Sequence, residues 1–94
     1  MQQRIAYIEK MKQELDALNL RLIALELAAD QMQLEARDRY EIEVKKVRAQ
    51  SVLAKEKLTA LIESSESSWH QMVAETEKIR DAFLNSFSYF KSQI

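Results

Sequence analysis

Few residues of this 94-residue chain could do chemistry, and their surroundings give them little to work with. His70 is the sole histidine, and there is no cysteine. A zinc ion takes three or four protein ligands, chiefly Cys and His, so this inventory predicts no metal site. Carboxylate-bridged metal sites in helical bundles use Glu-x-x-His pairs on facing helices, but the residue three before His70 is Ser67. Acidic residues such as Glu9, Glu14, Asp16, Glu41 and Glu43 are interleaved with Lys and Arg, as on a solvated charged helix face. Serines gather in Glu63-Ser64-Ser65-Glu66-Ser67-Ser68, but no base stands in a pattern that would activate one. Gly and Pro are both absent, which removes the residues that phosphate-cradling loops and tight turns depend on. The expectation is a chain with no catalytic, cofactor-binding or metal residues, and not an enzyme.

The elements that would carry these residues read as helix throughout. Ala, Leu, Glu, Lys, Gln, Arg and Met, the strong helix formers, dominate a chain that is 47% hydrophobic and 31% charged. Apolar residues alternate by threes and fours through Ile8, Met11, Leu15, Leu18, Leu22, Leu25, Ala29, Met32 and Ala36, the a/d seam of packed helices. Two steps of four, through Tyr40 to Val44, read as a stutter that locally unwinds a supercoil. The alternation resumes through Val47, Ser51, Ala54, Leu58, Leu61, Ser65, Ser68, Met72, Glu75 and Ile79, and shifts to Phe83, Phe87, Phe90 and Ile94.

Two features decorate this seam. A second apolar row, Leu20, Ile23, Leu27 and Leu34, lies opposite the first, so this stretch should sit inside three or more helices. Aromatics concentrate at the C-terminal end as Trp69, Phe83, Phe87 and Phe90. They form either a bundle core or a docking face for a partner helix or lipid interface.

The chain therefore reads as one all-α coiled-coil domain over 1–94, a long amphipathic helix or a helical hairpin that forms an oligomeric coiled coil or helix bundle. A turn or kink at 63–68 would separate a long N-terminal helix from a shorter C-terminal one. Ser65 or Ser67 would cap a helix beginning near Trp69. In the hairpin form, residues 67–92 fold back on 38–62 and leave 1–37 to pair with another chain. Each large seam residue is worth ~1.5–3 kcal/mol when buried, so oligomerisation or a partner is expected.

Charge limits the partners. Lys plus Arg is 14 and Asp plus Glu is 15, and the two signs balance within each half. A phosphate-neutralising face needs a run of bases, so nucleic acid is not expected. Polybasic attachment to anionic lipid is disfavoured on the same ground. The apolar-rich stretch Leu15–Leu34 is broken by Asp16, Arg21, Glu26 and Asp30 and does not read as a membrane span. Met1-Gln2-Gln3-Arg4-Ile5 lacks the apolar run of a secretory signal. With the lack of cysteine, this suggests the cytoplasm.

The order of residues resembles a group of small bacterial coiled-coil proteins of about a hundred residues whose function is not established. The likeness rests on Tyr7-x-Glu9-Lys10-Met11, Glu14-Leu15-Asp16, Tyr40, Val47-Arg48-Ala49-Gln50, Ala54-Lys55-Glu56-Lys57-Leu58-x-x-Leu61, Ser67-Ser68-Trp69 and Phe90-Lys91-Ser92. It covers nearly the whole chain and implies no activity, ligand or site residues. Such proteins often carry a Gly after the Trp segment and a second Trp downstream, where this chain has Ala74 and Phe83. If that Gly marks a helix end, its absence implies a longer continuous helix here. The functional expectation is a non-enzymatic structural or interaction protein. It would be a self-associating scaffold, adaptor or small regulatory subunit that binds itself, a partner protein, or both. The alternative is a peripheral lipid- or membrane-associated amphipathic-helix protein.

Overall fold

A row of large apolar side chains along a helix must be covered, and this chain covers much of its own. The computed structural model describes residues 2–31 and 34–93, with the side chains of 3–31 and 38–92. Among the described residues three helices pack together: α1 (Gln2–Asp30), α2 (Leu34–Glu63) and α3 (Trp69–Gln93). They form an all-α bundle measuring 50 × 18 × 17 Å, without strands among the described residues. The start of α1 lies beside the end of α2 and the start of α3, since Arg4 reaches both Ser64 and Trp69. Further along, Arg21 of α1 lies over Phe87 of α3. α1 and α3 thus run parallel, and α2 runs against both.

The seam residues form the core of this single chain. Met11, Leu15, Leu18, Leu22 and Ala29 of α1 are buried with Val47, Ala54 and Leu61 of α2 and Phe83, Phe87 and Phe90 of α3. Tyr7, Leu25, Tyr40, Val44, Leu58 and Ile79 pack around them, half-buried. Tyr40 meets Phe90 edge-to-face with centroids 5.9 Å apart, a favoured geometry for ring quadrupoles. The two buried hydroxyls are both satisfied. Ser51 donates to Asn19 Oδ1 of α1 at 2.6 Å, and Thr76 donates back to the Met72 carbonyl at 2.7 Å.

Several expectations need correction. The stutter at Tyr40–Val44 does not lie within a supercoiled continuous helix, because the chain reverses between Asp30 and Leu34 and α2 is a new helix. No Gly or Pro marks that reversal. The Gln31 amide bonds the Ala28 carbonyl at 3.3 Å, a tightened last turn. Folding back costs a few helical hydrogen bonds, and it covers the seam of α1 against α2 and α3. The described part of the 1–37 stretch, α1, therefore does not stand apart for another chain to cover. In α3, Thr76 and not Glu75 occupies the buried position, and Glu75 instead pairs with Lys57 at 3.2 Å. Met32, Leu34, Ala36 and Ile94 carry expectations that fall outside the described side chains.

Between α2 and α3 lies the serine segment, residues 64–68. The helix-starting position is Ser68, whose carbonyl accepts the Met72 amide at 3.0 Å, and not Ser65 or Ser67. Ser65 braces the turn through its hydroxyl, 2.9 Å from that of Ser68 and 3.0 Å from that of Ser67. From Trp69 the third helix runs through Ala74 and Phe83 without interruption.

Candidate interaction surface

Side chains that could recognise something occupy two places, one end of the bundle and the outer face of α1.

At the bundle end, Arg4 closes the serine turn. The last carbonyls of a helix lack intrahelical partners, and a cation there is also favoured by the helix dipole. Arg4 Nη2 donates to the carbonyls of Leu61, Ile62 and Ser64 at 3.4, 3.0 and 2.5 Å. Its guanidinium lies 4.6 Å from the centre of the Trp69 ring, within cation–π range. Trp69 in turn meets Tyr7 edge-on, 5.8 Å between centroids. The Tyr7 hydroxyl donates to Glu77 Oε1 at 2.8 Å. Burial pushes the ionisation of Tyr7 upward, and the hydrogen bond and negative charge of Glu77 push it further. His70 is exposed and borders a shallow groove with Gln3, Arg4, Glu66 and Trp69. Among the described residues, no three His, Cys, Asp or Glu side chains gather where a metal ion could sit.

Charged pairs bridge the helices. Glu26 pairs with Arg48 between α1 and α2, Glu14 with Arg80 between α1 and α3 at 3.0 Å, and Lys57 with Glu75 between α2 and α3. Burial disfavours the Arg80 cation, but hydrogen bonds to Glu14 and Asp81 outweigh it and the net shift is upward. Of the three helix pairs, α1 and α3 approach each other least. Their gap is spanned by long side chains and opens into a groove between Ala17, Leu18 and Arg21 of α1 and Arg80, Asp81 and Leu84 of α3.

On the outer face of α1, Leu20 is 69% exposed, Ile23 53% and Leu27 61%. In the helix these positions share a face with Ala24. Ile23 shares the rim of the α1–α2 groove with Val52 of α2, which is also exposed. Among the described residues, none covers more than half of Leu20, Ile23 or Leu27.

The structure thus divides the residues singled out from sequence. Met11, Leu15, Leu18, Leu22, Val47 and Leu61 are buried, while Ile8, Leu25, Val44 and Leu58 are half-buried. Phe83, Phe87 and Phe90 belong to the core of their own chain and offer no docking face. Trp69 is at the other end of α3 and does not share their environment. Arg4 is the contributor that sequence reasoning missed. Its role depends on three carbonyls about sixty residues away, and no local pattern signals that.

Compared with protein-family models, curated proteins and solved structures, the chain matches none. Among the described residues, no helix is long and apolar enough to cross a membrane.

Proposed function

We propose that this protein is a non-enzymatic interaction module of the cytoplasm, a self-associating scaffold, adaptor or small regulatory subunit. The observation that supports this reading is the leucine row outside a core that is already complete. Leu20, Ile23 and Leu27 each keep more than half of their surface in solvent. Contiguous exposed apolar surface on a small domain marks contact with another molecule more often than single exposed residues do. The rigid bundle behind the row holds it in one shape, which lowers the ordering cost of binding.

Sedimentation velocity over a concentration series tests the reading, with vesicle flotation alongside it. The expected result is reversible association that weakens in Leu20→Gln/Leu27→Gln, with no flotation. A compact monomer at every concentration would overturn self-association. Flotation lost in the same double variant would instead make the row a lipid-binding face.

A further inference from the structure

The junction between α1 and α2 is made of residues that favour continuing a helix. α1 ends at Asp30 and α2 begins at Leu34, yet the sequence from Ala28 to Ala36 holds no Gly, Pro or Ser. The passage from α2 to α3 differs, since its serines are poor helix formers. The buried stripes of α1 and α2 also share one phase. Eighteen residues complete five helical turns, and Met11, Ala29 and Val47 are eighteen apart and all buried. In the sequence, Met32, Ala36, Tyr40 and Val44 carry the stripe across the junction. A reversal does not require its two helices to be in phase, whereas a helix running straight on does.

We infer that α1 exchanges between two copies of this chain. It swings out in line with α2 and packs on the α2–α3 hairpin of the second copy, which returns its own α1. Exchange of an identical element is a low-cost route to a dimer, because the contacts already exist in the single chain. The seat is shaped for α1, through Glu14 with Arg80, Asn19 with Ser51, Glu26 with Arg48 and Arg4 at the serine turn. α2 and α3 pack most extensively against each other, so the hairpin keeps its form when α1 leaves. The geometry also closes. α1 runs against α2, so two extended chains lie antiparallel. The pairs Arg4–Ser64, Asn19–Ser51 and Glu26–Arg48 have their midpoints in sequence at positions 34, 35 and 37. One two-fold axis near residue 35 therefore re-forms all three between the copies. The exchange adds a slow route to the self-association proposed above, and it does not use Leu20, Ile23 or Leu27.

Crosslinking tests the exchange in the full chain, which has no cysteine of its own. Glu14→Cys/Arg80→Cys joins α1 to α3, and Lys57→Cys/Glu75→Cys joins α2 to α3. Circular dichroism checks that both variants are folded. Dimer isolated by size exclusion, after incubation at high concentration, is treated with a short bis-maleimide and run denatured. Glu14→Cys/Arg80→Cys should give a covalent dimer, and Lys57→Cys/Glu75→Cys a link within one chain. The monomer fraction should give links within one chain for both. Gln31→Gly lowers the helix preference of the junction in both copies and should weaken this dimer about tenfold. Leu20→Gln/Leu27→Gln should leave it unchanged. A dimer in which Glu14→Cys/Arg80→Cys links within one chain would overturn the exchange and leave self-association through the outer row standing. So would a dimer that Leu20→Gln/Leu27→Gln abolishes or that Gln31→Gly leaves unchanged. A monomer at every concentration would sink both.

Discussion

The two faces of α1 carry nearly the same residues and have opposite fates. On the inner face, Leu15, Leu18 and Leu22 are buried, with Leu22 at 2% exposure. On the outer face, Leu20 and Leu27 are more than half exposed. Side-chain chemistry does not separate them, so hydrophobicity alone does not decide burial. The inner row of α1 runs for three heptads, from Ile8 to Ala29, and meets two other helices, whereas the outer row lasts about two turns and stays more than half exposed. A row's length and the availability of a facing element decide whether it becomes core or contact surface.

The largest effect expected from this comparison is a charge on the inner face. Leu22→Asp places a carboxylate at a position only 2% exposed and should destabilise the bundle by about 4 kcal/mol or more. The same change at Leu27→Asp should leave the stability of the single chain within about 0.5 kcal/mol of the parent. Urea melts of both variants at concentrations below any association would check the pair. Similar losses for the two would mean that the outer row packs against the fold after all.

A smaller effect is expected at the end of the bundle, where Arg4 ties the start of α1 to the serine turn. Arg4→Ala removes the donor to three carbonyls and the cation over Trp69. It should cost roughly 1–2 kcal/mol and blue-shift or broaden the emission of Trp69. Arg4→Lys should restore only part, because an ammonium could reach the carbonyls that one guanidinium nitrogen serves but cannot lie flat over Trp69. An Arg4→Ala variant that melts and fluoresces like the parent would show that the serine turn holds without its clamp.

The smallest effect sharpens the contact between α1 and α3. In the folded state, burial and Glu77 hold the Tyr7 hydroxyl protonated beyond its ordinary pKa of 10.0. A group whose folded pKa is raised contributes stability that is complete below its unfolded pKa and is lost as pH rises through the folded value. The parent should therefore lose stability relative to Tyr7→Phe only as pH climbs above about 10. Paired melts at neutral and strongly alkaline pH measure the difference. A constant gap between the two proteins would mean that the hydroxyl does not sense ionisation in the fold.

Much of the fold was legible in the residues. The heptad spacing picked out Met11, Leu15, Leu18, Leu22, Val47 and Leu61, all of which are buried, because a buried helix stripe must repeat every three to four residues. The serine run coincides with the passage from α2 to α3, where poor helix formers gather. The reversal between Asp30 and Leu34 was not legible. Its neighbours are good helix formers, and the gain that drives it comes from residues tens of positions away. The choice of Thr76 over Glu75 was hidden for a similar reason. It depends on the rotation of α3 against α2, and the pairing of Glu75 with Lys57 accompanies that choice.

By itself, the sequence determined that the chain is helical and which stripe of each helix is apolar. Both follow from local terms, the propensity of each residue and the 3.6-residue period. Tertiary structure alone decided that the seam closes within one chain, that Arg4 caps a helix end it never neighbours in sequence, and that Leu20, Ile23 and Leu27 are left outside. Those outcomes depend on how much surface each arrangement removes from water. That quantity exists only once three helices are placed against one another, and over a whole seam it exceeds any local preference of the backbone.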